Sequence, residues 1–421
     1  MKLHKLLLVT ALLCTLSYAR ILTYGEVYNM PTSIEKDYYI WKFISQGTTT
    51  KDEAKVIIQH ASRLNSKLKK AYIRKTGYAP KLYKKNGYPS PKRTKRKTKY
   101  GSSTYFSAGI KALEQKNLQK AKQYFGWAQK VAIKETERDQ ANFWLYITTQ
   151  KKVFLDELLK SKNPNYYTLI AQDLVGGRYP QTITENLPNR NIDFDVEDPI
   201  DWVKIKYQLF NPRVNLKELA KRYNSQKSIG PYTYIKAYAS GYTEHYFPMP
   251  YRDAMSKLSV NRQALIYAIA RQESRFVSAS VSTSFALGMM QIMPFLVKHI
   301  AKEKGEPVNL DAMFNPYKAI EYADYHLDYL TKFLYHPLFV AYAYNGGIGF
   351  TRKLIRSNHF QKGPFEPYLS IEKMDNIETR EYGKKVLANY VIYRNKLGKP
   401  TRLLPLIKLL INPEKTDKFR D

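Results

Sequence analysis

The sequence of 421 residues is almost without cysteine, and its single thiol, Cys14, lies within an N-terminal apolar run. Leu12 and Leu13 precede this cysteine, whereas a lipid-attachment site needs a small residue there. Without this segment the chain can form no disulfide and no thiolate metal site. Its seven histidines show no metal-ligand spacing either, so we expect no metal ion and no other cofactor.

The apolar run itself is short. It extends from Leu6 to Leu16, whereas a helix that crosses a membrane needs about 20 residues. A short basic segment precedes the run, and Ser17 and Ala19 place small residues at the two positions that a cleavage site requires. The pattern predicts a signal peptide over residues 1–19, cleaved after Ala19, and an exported protein. An uncleaved anchor helix is the alternative.

Acidic residues are scarce. Lysine and arginine number 69 against 36 aspartates and glutamates, a formal net charge of +33, and no acidic residue lies between Glu53 and Glu114. Residues 67–99 form a basic arm in this gap, interrupted by glycine and proline. We expect an anionic polymer or membrane surface as its partner, and no nucleic acid, because the chain carries an export signal. Two alternatives stay open. In the first, the arm is only solvated and binds no partner, and in the second, the excess of positive charge reflects a genome rich in lysine.

Apolar residues at helical spacing predict a mainly α-helical chain of more than one domain. A capping box at residues 50–53 is expected to open one long helix toward Lys70. From Ser102 the helices come in pairs, with small residues beside Phe125 and Trp127, which is typical of stacked helix pairs. The expected division is a signal peptide at 1–19, N-terminal helices and the basic arm at 20–100, a helical superhelix at 101–246, a compact helical domain at 247–400 and a C-terminal tail at 401–421.

Glu273 is the strongest candidate for chemistry. Ile266 and Ile269 lie seven and four residues before it, so its carboxyl group continues the apolar face of a helix. Burial against hydrocarbon raises the pKa of a carboxyl group, which suits a general acid near neutral pH. The alternative is a helix that frays before Glu273 and leaves the carboxyl group in water.

Two further segments carry glycine beside functional side chains. Gly-Met-Met-Gln-Ile-Met-Pro at 288–294 combines adaptable methionines with an amide and a glycine that would let the backbone approach a ligand closely. Ala-Tyr-Asn-Gly-Gly at 343–347 is expected to end a buried helix in a left-handed cap, with the tyrosine hydroxyl toward a cleft. Taken alone, each segment is more often part of a core.

Four motifs in this order resemble the soluble lytic murein transglycosylases of bacterial cell walls, over about residues 247–394. They are Ala-Ile-Ala-Arg-Gln-Glu-Ser at 268–274, the segments at 288–294 and 343–347, and Glu-Thr-Arg-Glu-Tyr at 378–382. The resemblance implies a superhelix followed by a lysozyme-like, mostly helical catalytic domain. It also implies a periplasmic enzyme whose partner is the peptidoglycan glycan strand. The basic region before residue 100 is not covered.

The resemblance assigns roles to individual residues. It implies that Glu273 is the catalytic acid and base. The implied substrate-binding residues are Ser274, Ser282, Gln291, Met293, Tyr344, Asn345 and Glu378. One departure is local: Phe285 stands where the family has a small residue, which puts the conformation of the loop and the role of Ser282 in question.

The family reaction implied is cleavage of the MurNAc–GlcNAc β-1,4 bond with a 1,6-anhydro-MurNAc product. Most glycosidases use two carboxylates, but no acidic residue lies between Glu273 and Glu303, and a single-carboxylate mechanism fits that pattern. Two alternatives stay open. One is a peptidoglycan hydrolase of the goose-lysozyme type, in which water is the acceptor, and the other is a sacculus-binding scaffold without catalysis.

Overall fold

The computed structural model describes residues 20–83, 87–88, 90 and 101–420. The predicted signal peptide and the basic run at 92–97 therefore lie outside the described residues. Over the described ranges the chain is helical and its only β-pairs are isolated bridges, which confirms the mainly α class. None of the described helices is long and apolar enough to cross a membrane.

Four helices form an N-terminal unit: α1 Tyr24–Asn29, α2 Ile34–Ser45, α3 Lys51–Ile57 and α4 Ser66–Thr76. The capping box of Thr50 with Glu53 opens α3 as predicted. The prediction of one long helix toward Lys70 is wrong, because the chain turns between α3 and α4. Asp37 of α2 causes this turn: its carboxylate accepts from the backbone N–H groups of Ser62 at 2.7 Å and Arg63 at 3.2 Å.

The superhelix consists of consecutive helix pairs, α5 Ser102–Glu114, α6 Leu118–Val131, α7 Glu135–Thr149, α8 Lys152–Lys160 and α9 Tyr166–Leu174. Small residues bring α5 and α6 together, as predicted. A Cβ atom on Gly109 would lie 2.4 Å from the ring of Phe125, and Ser102 donates to the carbonyl of Ala128 at 2.9 Å. Phe125 in turn stacks on Trp144 at 5.6 Å, so the pairs share one apolar layer.

Three helices then form a smaller core: α10 Pro199–Leu209, α11 Leu216–Arg222 and α12 Ile229–Ala239. Trp202, Leu219 and Ile235 are buried there together with Val277 and Ala279, which follow Glu273 in the chain. Gly230 approaches this segment so closely that a Cβ atom would lie 2.0 Å from the carbonyl oxygen of Phe276. The segment behind Glu273 is therefore fixed by a neighbouring helical unit.

The C-terminal unit contains seven helices: α13 Val260–Glu273, α14 Pro294–Glu303, α15 Pro316–Thr331, α16 Pro337–Gly346, α17 Ile348–Arg356, α18 Tyr368–Glu372 and α19 Ile377–Lys396. Pro294 and Pro316 occupy the first positions of α14 and α15, where the missing N–H of proline costs no helical hydrogen bond. The predicted left-handed cap after α16 is wrong in detail, since Gly347 has φ 87° and ψ 149°. Its positive φ still favours glycine.

Helix α19 passes through the middle of the C-terminal unit and packs against both α13 and α16. A Cβ atom on Gly383 would lie 2.2 Å from the ring of Tyr342, so this glycine permits the close approach of α16. The predicted C-terminal tail contains α20 Leu403–Leu409, whose Leu403 and Ile407 are fully buried. Helix α20 packs against α9, so the end of the chain ties the superhelix to the C-terminal unit.

Candidate active site

Glu273 is the last residue of α13, and the helix does not fray before it. The N–H of Ser274 still donates to the carbonyl of Ala270 at 3.1 Å, and Ile266 and Ile269 are buried in the core. The carboxyl group therefore continues the apolar face of α13, as predicted. The residue itself remains partly accessible, so a substrate can reach it.

The surroundings of Glu273 favour the protonated form of its carboxyl group. Burial raises its pKa to about 7, and the negative charge of Glu378 adds to this effect. The hydroxyl of Tyr382 donates to Oε1 at 2.8 Å and acts in the opposite direction, because it stabilises the carboxylate. Within the described ranges no lysine, arginine or histidine forms an ion pair with Glu273.

Tyr382 is a site residue that the sequence reasoning missed. It closes the motif at 378–382, one helical turn after Glu378, so both side chains lie on the same side of α19 as the carboxyl group of Glu273. That spacing was a usable signal. Among 36 tyrosines, however, nothing in the sequence singled out this hydroxyl.

Tyr344 also lies near the acid. Its pKa is raised well above the ordinary value by burial and then by the charge of Glu273. Its hydroxyl donates to the carbonyl of Met290 at 2.8 Å and so fastens α16 to the loop that follows α13. Next to it, the side-chain oxygen of Asn345 accepts from Thr379 of α19 at 2.7 Å.

Residues 280–293, the substrate loop, carry the remaining predicted residues. Ser274 donates to the carbonyl of Met289 at 2.8 Å and is buried, so it holds the loop against α13. The hydroxyl oxygen of Ser282 accepts from the N–H of Ala286 at 2.9 Å. Gln291 donates to the carbonyl of Gly288 at 2.8 Å, while Met293 is half-buried at the start of α14.

The glycine and methionines of the substrate loop serve mainly the core. Gly288 has φ 74°, and a Cβ atom there would lie 1.8 Å from the carbonyl oxygen of Met313. The sequence predicted that Gly288 lets a ligand approach the backbone closely. In the structure the group that approaches it is the backbone carbonyl of Met313. Met289 and Met290 are buried, and only Met293 of the three keeps access to solvent.

Phe285 is the residue at which the substrate loop departs from the pattern of the family that the sequence resembles. Its φ of 60° turns the ring away from the loop, and the ring is buried against Tyr38 at 5.9 Å and Trp41 at 5.6 Å. Both aromatic residues belong to α2. Asn65 and Lys67 of the N-terminal unit donate to the loop carbonyls of residues 283 and 284 at 3.0 and 2.7 Å. The N-terminal unit therefore braces the loop.

A comparison with protein families decides the identity of this part of the chain. The transglycosylase SLT domain matches residues 249–364, which include Glu273, the substrate loop and Tyr344. Residues 249–364 are thus similar to SLT domains, and the name SLT domain is used for this segment. The predicted resemblance to soluble lytic murein transglycosylases is thereby confirmed. Glu378 and Tyr382 lie beyond the matched SLT domain but face the same carboxyl group.

The chain is similar to the soluble lytic murein transglycosylase of Escherichia coli strain K12. The two are 24% identical over 307 residues, which cover 65% of this chain and 47% of the relative. The chain thus spans about half the length of that relative.

Two solved structures share the fold. The first is an inactive mutant of the lytic transglycosylase Slt from Pseudomonas aeruginosa, in which a glutamate is replaced by glutamine. It has a TM-score of 0.52 and 17% sequence identity, and the match covers 94% of this chain and 67% of that chain. The second is the 70-kDa soluble lytic transglycosylase from Escherichia coli, with a TM-score of 0.51 at 18% identity and coverage of 90% and 68%. The predicted superhelix and lysozyme-like unit are confirmed.

The described residues contain no group of three or more histidine, cysteine, aspartate or glutamate side chains that could hold a metal ion. The arrangement around Glu273 offers proton transfer from a neutral carboxylic acid, with Tyr382 orienting one of its oxygens. That is the chemistry of a general acid that becomes a general base once it has given up its proton.

Proposed function

We propose that this chain is a lytic transglycosylase that cleaves the glycan strands of peptidoglycan, with Glu273 as its acid and base. One observation carries the proposal: the SLT domain places a carboxyl group with a pKa of about 7 in a partly accessible position without a cationic partner among the described residues. A general acid is most effective when its pKa is close to the working pH. The curated relatives are named soluble lytic murein transglycosylases.

In the proposed reaction Glu273 donates its proton to the glycosidic oxygen between MurNAc and GlcNAc, and the bond from that oxygen to the anomeric carbon breaks. The N-acetyl group of the MurNAc ring supports the positive charge that develops. Glu273, now a carboxylate, takes the proton of the 6-hydroxyl group of the same sugar. The 6-oxygen bonds to the anomeric carbon, which gives the 1,6-anhydro end and returns Glu273 to its neutral form.

The neighbours of Glu273 support a mechanism with one carboxyl group. Tyr382 donates to Oε1, so the other oxygen is left to carry the proton toward the substrate. The negative charge of Glu378 opposes ionisation before the sugar is bound. The inactive Pseudomonas relative lost its activity through a change of glutamate to glutamine, which is the change that removes proton transfer while keeping shape.

We assign the substrate groove to Ser282, Gln291, Met293, Tyr344 and Asn345 of the SLT domain together with Glu378 of α19. Ser274 supports this groove from inside, because its hydroxyl is engaged with Met289. The proposed location is the periplasm, reached through the signal peptide over residues 1–19. The predicted basic arm at 67–99 is wrong for residues 67–76, which belong to α4 of the packed N-terminal unit. The basic segment at 77–99 is proposed to bind an anionic wall or membrane surface.

Product analysis tests the proposed reaction. Purified sacculi digested by the wild-type protein should release muropeptides that are lighter by one water than their hydrolysed counterparts, as read by mass spectrometry. Glu378→Gln serves as a carboxylate control, since it should reduce the rate less than Glu273→Gln does. Reducing MurNAc ends would establish a hydrolase of the goose-lysozyme type instead. Binding to sacculi without any cleavage would establish a scaffold.

A further inference from the structure

A cavity of about 540 Å³ lies where residues 184–189 meet the beginning of the SLT domain. Its lining comes from that segment, from residues 226–229 at the start of α12, and from residues 249–253 together with Tyr317 of α15. The volume falls within the range of small-molecule sites, about 300–1,000 Å³. The described residues that line it include none of the proposed substrate groove. We call it the linker cavity.

Backbone hydrogen bonds fix the walls of the linker cavity. The N–H of Ile183 donates to the carbonyl of His245 at 2.9 Å, and the N–H of Phe247 donates to the carbonyl of Ile183 at 2.7 Å. Near the other end of the segment, the N–H of Gln226 donates to the carbonyl of Pro188 at 3.0 Å. A ligand therefore meets walls that are already in place, which lowers the entropic cost of binding.

The charges of the linker cavity balance, although the chain as a whole carries a formal net charge of +33. Its lining contains two cations, Lys227 and Arg252, and two carboxylates, Glu185 and Asp253. A lining whose formal charge is zero gives no net attraction to an anion such as the carboxylate of a stem peptide. It suits a ligand that is polar but uncharged.

Two aromatic rings supply apolar surface in the cavity. Tyr251 and Tyr317 lie edge to face, with their ring centroids 5.6 Å apart and an interplanar angle of 68°. The hydroxyl of Tyr317 donates to the carboxylate of Asp253 at 3.1 Å, which holds the ring in place. Because Tyr317 is still 48% exposed, its ring is open to a ligand. The C–H groups of a pyranose sugar pack well on such a ring.

Amide side chains stand at the rim of the linker cavity. Asn186, Asn189 and Gln226 are exposed there, and their amide groups form no hydrogen bond with any other group in the part of the chain that the structure describes. Leu187 and Ile229 are buried, so an apolar interior lies beneath this polar rim. Each amide offers donors and an acceptor, which match the hydroxyl and acetamido groups of an N-acetylated sugar.

We propose that the linker cavity binds an uncharged N-acetylated sugar of a peptidoglycan glycan strand outside the substrate groove, an inference that rests on the proposed function. The ring of Tyr317 packs on the sugar, and the three amides pair with its hydroxyl and acetamido groups. The cavity wall is joined to the catalytic helix, because the carbonyl of Pro250 accepts from the hydroxyl of Tyr267 of α13 at 2.9 Å. A strand bound there is anchored to the unit that carries Glu273, which raises the effective concentration of its cleavable bonds.

Direct binding tests the proposal. The probe is the uncharged β-1,4-linked trimer of N-acetylglucosamine, titrated into the full chain by calorimetry, and cellotriose, which lacks the acetamido groups, is the control sugar. We expect Tyr317→Ala to weaken the binding of one trimer per chain about tenfold and Gln226→Ala to weaken it about fivefold. Tyr317→Phe keeps the ring and should bind this trimer as the wild type does.

Tyr335→Ala is the matched control, since Tyr335 is 46% exposed but does not line the linker cavity. It should bind the trimer as the wild type does, and thermal unfolding of each variant confirms that it is folded. Two results would overturn the proposal: trimer binding that is the same in Tyr317→Ala and the wild type, or cellotriose binding that is as strong as trimer binding and equally dependent on Tyr317.

A second measurement separates this inference from the proposed function. Cleavage rates are compared on intact sacculi and on soluble strands of two disaccharide units, which offer little glycan beyond the substrate groove. We expect the ratio of the rate on sacculi to the rate on short strands to fall about fivefold in Tyr317→Ala. A wild-type protein that cleaves neither substrate would contradict the proposed function and leave the trimer titration to decide on the linker cavity. An unchanged ratio, with cleavage of both substrates, would overturn the anchoring role alone.

Discussion

Glu273 and Glu372 are two carboxyl groups packed against the same helix, α19, and their surroundings are opposite. Glu372 is 2% exposed and accepts from Lys384 at 3.0 Å through each of its oxygens and from the hydroxyl of Tyr167 at 2.6 Å. Glu273 has one hydroxyl donor, Tyr382, and no ion pair within the described ranges. One site compensates a buried negative charge, and the other leaves a buried acid uncompensated.

The difference supports the role proposed for Glu273. A chain with 69 lysines and arginines has cations available for pairing, and it uses them at Glu372, at Glu35 with Lys206 and at Asp417 with Arg420. Glu273 has no such cation within the described ranges, and burial raises its pKa to about 7. Strongly perturbed groups of this kind are concentrated at active sites.

The largest expected effect is on catalysis. Glu273→Gln should lower the cleavage rate at least ~10²–10⁴-fold, the usual effect of a positioned acid and base, because a neutral amide cannot transfer the proton. The variant should unfold at the same or a higher temperature than the wild type, since the amide avoids the desolvation of a carboxylate. The raised pKa of Glu273 also predicts how the free energy of unfolding of the wild type depends on pH. This free energy should fall as pH rises from about 4.5 through about 7, because the carboxyl group loses its proton more easily in the unfolded chain than in the folded one.

An unaltered cleavage rate in Glu273→Gln would contradict the proposed mechanism. A Glu273→Gln variant that does not fold would show that packing requires this carboxyl group. It would contradict the expectation that its replacement leaves the fold intact.

The next effect concerns the compensated site. Lys384→Met should lower the free energy of unfolding by about 3 kcal/mol, because it leaves Glu372 buried without its main cation. The double variant Lys384→Met, Glu372→Gln should regain part of this loss, since it removes both charges. Urea unfolding followed by circular dichroism gives the values. A Lys384→Met variant as stable as the wild type would remove the contrast between the two carboxyl groups.

A smaller effect is expected at the braced substrate loop. Trp41→Ala removes a ring that lies 5.6 Å from Phe285 and should raise KM for glycan about threefold to tenfold, with a smaller change in kcat, because loosened groove residues bind sugar less well. Trp41→Phe should restore most of the binding. Trp127→Ala, on the exposed surface of α6, is the matched control. Equal kinetics in Trp41→Ala and the wild type would show that the N-terminal unit does not position the loop.

The smallest effect is a shift in pH dependence. Tyr382→Phe removes the hydroxyl that stabilises the Glu273 carboxylate, so the pKa of Glu273 should rise further. The alkaline fall in the pH–rate profile should then move to higher pH, while the rate at its optimum falls only a few-fold, up to about tenfold. A fall that moves to lower pH would contradict the assigned direction of the hydrogen bond.

The contrast between Glu273 and its neighbours also shows what could be predicted. The spacing of Ile266, Ile269 and Glu273 is local, so the buried carboxyl group could be found from one helix. The donor to that carboxyl group, Tyr382, is 109 residues away in the sequence. The same applies to the aromatic contacts of Phe285 with α2 and to the turn that Asp37 imposes after α3. These features depend on packing between distant segments, which helical periodicity does not record.

The titration of Glu273 tests the central claim most directly. In protein labelled with ¹³C at the glutamate carboxyl carbons, the signal of Glu273 is identified by its loss in Glu273→Gln and followed from acidic to alkaline pH. The account predicts a midpoint near the pKa of about 7 that burial imposes on this group. A midpoint near the ordinary glutamate value of about 4.3 would mean that Glu273 is ionised at neutral pH and cannot be the acid that begins the reaction.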